Sequence, residues 1–388
     1  MTYFHWVAGC VLALVWFSRL LEAALGVPKM TDISLPEWNR KTAVSPRVSI
    51  IVPARNEEEH IEQALTQLLQ LDYDNYEVIA VNDRSTDRTG EVMDRVASTP
   101  AAQGRLRVIH VSSLPPNWLG KAHAMWTAAR QASGDWLLFT DADVLFRPDA
   151  LTRAMAYVTA EHADHLVLFP TFVMHDAGER MMIAFFQTLF VFGHRPWKVA
   201  DPKTKDFMGV GAFNLIRRQV YQAVGTYEAL RFEVLDDMKL GKVVKFGGYA
   251  QRNVFGRELL SIRWAKSAMG VVENLTKNMF AIMSFQWWRA IASAFALVFL
   301  NLMPFAGVVL AHGWERFPYA VALASMFGIY VGMSWMSDVP PYYFVLHPVS
   351  SALFVYIMLR SMVLTLGRGG VVWRGTFYPL DELRKGMV

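Results

Sequence analysis

The sequence predicts an α/β domain on a mainly parallel sheet, flanked on both sides by transmembrane helices. Three observations predict it. Short β-branched or apolar runs alternate with stretches of helical spacing between Val48 and Phe139, the pattern of right-handed β–α–β crossovers. Long apolar runs stand before and after that region, each long enough to be read as a membrane segment. The composition agrees: of 388 residues 53% are hydrophobic and only 19% charged, with 13 Trp and 25 Phe, an apolar excess over ordinary soluble domains.

Residues 3–25 are apolar except for Arg19 and Glu22 and suit one span. The start, Met-Thr-Tyr-Phe-His-Trp, lacks the basic region of a cleaved signal, so residues 1–25 are expected to form an uncleaved anchor. Residues 26–46 carry Pro28, Pro36, Pro46 and several charges and read as a linker. Arg40, Lys41 and Arg47 follow the anchor, and positive charge beside a span favours the cytoplasmic side. Residues 47–264 form the α/β domain. Strands are expected at Val48–Val52, Tyr76–Val81, Leu106–Val111 and Trp136–Phe139, and helices at Glu57–Leu69, Asp87–Val96 and Lys121–Gln131. The second half is less regular. Met181–Gly193 is apolar but too short to span, and reads equally as a core helix or as one lying at the bilayer interface. Gly209–Ile216 reads as a strand with glycines at points of close approach. Glu233–Val244 reads as a helix with Asp236 and Asp237 in its first turn.

Beyond the domain, residues 265–290 mix polar groups into an apolar background and are expected to lie along the interface. Residues 291–366 hold three apolar runs, at about 291–311, 318–336 and 342–366, and residues 367–388 form a basic tail. Three full spans after a cytoplasmic domain put that tail outside, against the preference of Arg368, Arg374, Arg384 and Lys385 for the cytoplasm. One run is therefore expected to be interfacial or re-entrant. Arg360 inside the last run singles that run out, since a charge in hydrocarbon is costly.

Several function classes fall away. The single cysteine, Cys10, excludes an intramolecular disulfide and a cysteine metal cluster. A net charge of +4 is too small to argue for nucleic acid, and it suits a surface facing anionic headgroups. There is no dinucleotide fingerprint, no nucleophile elbow and no His-Glu-x-x-His zinc site.

In a parallel sheet, ligands bind outside the carboxyl ends of the strands. Polar residues gather at those ends: Arg55, Asn56 and Glu57 after the first strand, Asn82 and Asp83 after the second, Asp141 and Asp143 after the fourth. Side chains two apart on an extended chain face the same way, so Asp141 and Asp143 can address one ion. Adjacent anions repel, and a hard cation such as Mg²⁺ or Mn²⁺ relieves them while bridging to phosphates. Taken alone the pair reads equally as a strand-end turn. Asp87 reads as a helix N-cap, and Glu57 to Glu59 as helix N-terminal acids. Asp83 has no such local explanation.

The order of these pieces resembles the family-2 glycosyltransferases of the GT-A fold, whose catalytic domain is Rossmann-like. The matching pieces are Val48-Ser-Ile-Ile-Val-Pro-Ala-Arg-Asn-Glu57, Asn82-Asp-Arg-Ser-Thr-Asp87, Gly120-Lys-Ala-His-Ala124, Asp141-Ala-Asp143, Leu235-Asp-Asp237 and Arg263-Trp264. Any one is weak; six in order are specific. The flanking membrane segments look most like the ceramide glucosyltransferase-like and bacterial carotenoid- or hopanoid-associated branch. The resemblance implies that Asp83 binds the nucleotide base, that Pro53, Arg55 and Glu57 lie where the first loop touches the nucleotide, and that Lys121 contacts the nucleotide or its phosphates. It implies that Asp141 and Asp143 hold the metal, Mg²⁺ or Mn²⁺, and the donor diphosphate, and that Asp237 is the catalytic base. Arg263 and Trp264 would cap the site. Asp236 stands where Glu is commoner, and Leu260 replaces a Gln, which argues against processive synthesis. His123, in the Lys121 helix, has two readings, one facing the pocket and one as a core or surface residue, of which the second is the stronger.

The resemblance thus implies an inverting, metal-dependent transferase that moves a hexose from a nucleotide sugar, a UDP-hexose above others, to a lipid hydroxyl at the cytoplasmic face of a bacterial inner membrane. Residues 181–197 and 267–290 are the expected route for the lipid acceptor. A processive polysaccharide synthase and a catalytically inactive membrane scaffold are the rival readings.

Overall fold

The computed structural model describes residues 2–386, which divide into two compact units. One holds residues 30–173, 198–263 and 381–386; the other holds residues 2–29, 174–197 and 264–380.

The first unit is the α/β unit. Its strands are β1 (Val48–Ala54), β2 (Tyr76–Asp83), β3 (Leu106–Val111), β4 (Trp136–Phe139), β5 (Leu145–Phe146), β6 (His165–Leu168), β7 (Thr171–Phe172), β8 (Asn214–Arg217), β9 (Gln251–Val254) and β10 (Leu260–Ile262). A seven-stranded sheet runs β3-β2-β1-β4-β8-β6-β9. β1 pairs in parallel with β2 and with β4, Val48 lying opposite Tyr76 and Trp136. β8 runs antiparallel to both β4 and β6, while β6 and β9 are parallel. The sheet is thus mainly parallel with one reversed strand. Every residue of β1 is buried, as a strand covered by helices on both faces must be. The helix Ile61–Leu68 buries Ile61, Ala64, Leu65 and Leu68, and Thr89–Ala97 buries Thr89, Val92, Met93 and Val96. Both follow the i, i+3, i+4, i+7 spacing of one apolar stripe. The strand order turns back between β1 and β4, which makes the crevice at their carboxyl ends the topological switch point.

Local differences from the expected elements have physical causes. The helix after β1 starts at Ile61 rather than Glu57; the N–H groups of Asn56, Glu57 and Glu58 ahead of it bond to Ser85, Thr89 and Asp87. The strand expected from Gly209 begins only at Asn214. Within 26–46, Ile33 is fully buried and exchanges backbone bonds with the Phe255 region, Ile33 N–H donating to Phe255 O at 2.8 Å. Arg153 donates to the carbonyls of Ile33, Ser34 and Leu35, so residues 33–35 are tied to the α/β unit.

The second unit is helical. Three of its helical segments are long and apolar enough to cross a membrane: Tyr3–Lys29, Gly313–Ser334 and Pro341–Arg368. Trp287–Asn301 and Met303–Leu310 form a pair bent by 45°, which makes a fourth if the two count as one span. Pro304 stands at the start of the second half, where its missing N–H and ring interrupt the ladder. The helix Ala177–Gly193 starts earlier than expected because its N-terminus is capped: Asp176 accepts from Glu179 N–H, and Glu179 accepts from His175 N–H. Met182 and Phe185 of that helix pack with Val272, Leu275, Phe354 and Ile357, which makes it a core helix of this unit. Ala268–Ile282 is capped by Ser267 and ends before Ser284 and Phe285, both in the left-handed region.

Candidate active site

The helix Gly120–Gln131, the end of β4 and the helix Asp236–Phe246 bring four charged side chains together. Lys121 Nζ lies 2.7 Å from Asp141 Oδ1 and 3.7 Å from Asp236 Oδ2. Asp237 is the next residue, and its Oδ1 accepts from Met238 N–H at 2.7 Å. Asp236 is 4% exposed. Burial works against charge on Lys121, yet Asp141, Asp236 and Asp237 outweigh it and raise its pKa. Burial raises Asp236 to about 7; Lys121 opposes that rise, and Asp237 and Asp141 add to it. Burial also raises Asp237, against the pull of Lys121 and the Met238 N–H. One ammonium thus faces three carboxylates, and burial raises the proton affinity of two of them, Asp236 and Asp237, as a general base requires.

The backbone around this cluster is close-packed. A Cβ on Gly209 would run into the Asp237 carbonyl, one on Gly241 into the Met208 carbonyl, and one on Gly211 into the Asp141 carboxylate. Asp141 N–H donates to Gly211 O, and Thr140 Oγ1 to Ala212 O at 2.8 Å. A buried network fixes the 208–214 segment. Gln251 accepts from Met208 N–H and donates to Met208 O and Gly241 O. His165 sits between Gln251 and Asn214, at 2.8 and 3.0 Å. Burial lowers the His165 pKa to about 4, so its ring is neutral. Sequence reasoning missed this network; its one local signal is a polar residue in each of three buried strands.

A second group forms at the ends of β1 and β2. Asp83 is 4% exposed and takes a two-pronged bond from Arg84, Nε to Oδ1 at 2.7 Å and Nη2 to Oδ2 at 3.0 Å. Arg84 and Asn56 both have φ in the left-handed region. Asn56 Oδ1 accepts from Thr86 N–H and Asp87 Oδ2 from Glu58 N–H, lacing the two loops together, while Asp87 Oδ1 accepts from Thr89 N–H. Asp87 thus serves the start of its helix. Gly120 faces Asp83: a Cβ there would lie 2.5 Å from Asp83 Oδ2. The helix that carries Lys121 to Asp141 therefore begins against Asp83.

The remaining candidates are placed as follows. Pro53 is buried in β1, and Arg55 and Glu57 are half-buried in the loop after it. Asp143 is half-buried in the turn between β4 and β5. Arg263 is exposed just after β10. Trp264 belongs to the helical unit, where its ring packs on Phe186 at 4.8 Å. Among the described residues no group of three or more His, Cys, Asp or Glu is arranged to hold a metal ion.

Residues 49–225 match Glycosyl transferase family 2. The chain is 21% identical over 385 residues to the 4,4'-diaponeurosporenoate glycosyltransferase of Staphylococcus aureus strain MRSA252, covering 95% of this chain and 99% of that one. The same enzyme from strain USA300 matches with the same identity and coverage. A mannosyltransferase from Pyrobaculum calidifontis, solved with GDP-Man and Mn²⁺, superimposes with a TM-score of 0.54 at 19% identity, over 90% of this chain and 99% of that one. The α/β unit has the GT-A fold, and residues 49–225 are a family-2 glycosyltransferase domain.

Proposed function

We propose that the protein is an inverting hexosyltransferase that takes a sugar from a nucleotide sugar, UDP-linked above others, and places it on a hydroxyl of a membrane lipid. The observation that carries this reading is the set of half-buried Lys121, Asp141 and Asp237 with buried Asp236 at the sheet's switch point. Inversion is a single displacement at the anomeric carbon, so a carboxylate must take the acceptor hydroxyl's proton as the new bond forms. Asp237 is that base: burial raises its affinity for the proton, and the Met238 N–H orients one oxygen. Lys121 supplies fixed positive charge for the diphosphate that departs. Asp83, at the end of β2, receives the base, and the loop of Pro53, Arg55 and Glu57 borders the nucleotide. Arg263, just after β10, offers its guanidinium to diphosphate oxygens.

The residues fit a divalent cation, Mg²⁺ or Mn²⁺, of the kind that arrives with its substrate. Asp141 and Asp143 offer two hard oxygen donors, too few for a resident all-protein site and suited to an ion that also takes phosphate oxygens and water. When bound, such an ion supplies Lewis-acid stabilisation of the leaving diphosphate. The lipid acceptor is supported by the apolar helices in the same chain and by the end-to-end match to a glycosyltransferase named for diaponeurosporenoate. Arg40, Lys41 and Arg47 beside the first helix support a multi-pass inner-membrane protein with the α/β unit in the cytoplasm.

The test is incubation of the purified protein with labelled UDP-glucose, UDP-galactose and GDP-mannose over host lipid extract, with mass spectrometry of the lipid fraction. A single added hexose is expected. A ladder of oligosaccharides would point to a processive synthase, and no release of nucleoside diphosphate from any donor to an inactive scaffold. Asp237→Asn should abolish transfer and leave nucleotide binding intact; normal transfer by that variant removes Asp237 from the mechanism.

A further inference from the structure

His123 is not used by the chemistry above, yet it is placed to act on it. It sits one helical turn beyond Gly120, on the side of the helix that meets Asp83 and Arg84. The residue is 8% exposed, and its Nδ1 is sealed from solvent with no hydrogen-bond partner. A buried N–H without an acceptor is worse tolerated than a bare acceptor nitrogen. The proton of the neutral ring therefore belongs on Nε2, the nitrogen left open to a ligand. Burial keeps the ring neutral by lowering its pKa; Asp83 opposes that and Arg84 adds to it. Around it stand Trp118, with its ring centroid 5.5 Å away, and Trp126 at 6.1 Å. The two indoles lie 5.0 Å apart, and Arg130 covers Trp126. Both Trp residues are half-buried, so aromatic surface remains beside the Asp83–Arg84 pair.

We propose that His123 is a specificity-determining residue for the donor's nucleobase: its Nε2–H donates to a ring carbonyl while Asp83 accepts from the adjacent imide N–H. This rests on the nucleotide-sugar reading above and deepens it. Arg84 occupies one lone pair on each Asp83 oxygen, and a carboxylate has about four acceptor positions, so Asp83 can accept once more. An acceptor beside a donor reads an N–H next to a C=O. Uracil and guanine present that edge; cytosine and adenine present an amino group beside a bare ring nitrogen and would leave both protein groups unmatched. Trp118 supplies a face for the base to stack on, a contact that tolerates either ring size.

The test measures binding of UDP, GDP, CDP and ADP to the full-length protein in detergent with Mn²⁺, by tryptophan fluorescence, for the wild type, His123→Phe and His123→Gln. One matched pair of hydrogen bonds is worth about tenfold or more in discrimination. The wild type is therefore expected to bind UDP or GDP at least about tenfold more tightly than CDP or ADP. His123→Phe, which keeps a ring and loses the donor, should bring that ratio close to one. His123→Gln, which keeps an N–H, should retain most of it. A ratio unchanged in His123→Phe, or a wild type that binds CDP as well as UDP and GDP, overturns the assignment of His123 and leaves the transferase reading standing. Failure of the wild type to bind any nucleoside diphosphate overturns both.

Discussion

Replacing Lys121 with Met removes the one ammonium from the Asp141–Asp236–Asp237 set while keeping a side chain of similar length. Breaking a buried ion pair from one side costs about 3–5 kcal/mol. Lys121 and Asp141 retain 22% and 35% of their side-chain exposure, so water screens part of that, and a loss of about 1–2 kcal/mol is expected at neutral pH. The loss must depend on pH. Asp236 already stands raised in the folded protein, to about 7, with Lys121 holding it back. Without Lys121 it rises further. A carboxyl whose folded pKa lies above its unfolded value contributes stability that is full below the unfolded value, about 4, and is lost as pH rises through the folded one. Lys121→Met should therefore match the wild type most closely at pH 5 and fall furthest behind at pH 8. Thermal unfolding in detergent at both pH values reads this directly. About 1–2 kcal/mol corresponds to roughly 3–6 °C in a unit of about 200 residues. Equal shifts at pH 5 and pH 8, or none at either, refute the view that Lys121 offsets the carboxylates.

Three other outcomes follow from the packing and the charges. Gly209→Ala and Gly241→Ala each drive a methyl into a backbone carbonyl, so each should lose about 1–3 kcal/mol and most transfer activity, while Gly193→Ala, with nothing within 4 Å, should keep both; wild-type melting of Gly209→Ala would show that the crossing is loose. The initial rate of transfer should rise with pH, with its acid limb displaced above the ordinary carboxylate range near about 4, because burial raises both members of the Asp236–Asp237 pair and the base must be deprotonated to act; the limb reports the pair as a whole, and a limb at or below pH 4 contradicts a buried base. Arg153→Met removes the donors that reach the Ile33, Ser34 and Leu35 carbonyls, so trypsin should cut at Arg40 and Lys41 faster than in the wild type, and an unchanged cleavage rate would mean that other contacts hold this stretch.

What the sequence made legible divides along a physical line. The strand at Trp136–Phe139 was readable to the residue, because a short apolar run that must be buried leaves its boundary in the chain itself; Leu106–Val111, a partly exposed edge strand, was readable from its β-branched residues. The carboxylates after β2 and β4 were readable for the same reason: each interrupts such a run where the sheet ends. The reversed strand β8 was not, since its direction depends on pairing with β4 and β6 and no local pattern encodes that. The glycines at 209 and 211 signalled close approach, yet not what approaches; the answer is Asp237 and Asp141, far away in the chain. The His165–Asn214–Gln251 network joins three strands through one polar residue each, and each of those residues alone reads as an ordinary strand position. His123 is the sharpest case. A histidine among small apolar residues on a helix reads as core, and it is indeed buried. What separates it from a core histidine is a sealed nitrogen without a partner beside Asp83 and Arg84, and the loop that brings those two to Gly120 is encoded more than thirty residues earlier. Chemistry that sits on a strand end was visible from the chain; chemistry made by a helix meeting another strand's loop became visible only when the two were brought together.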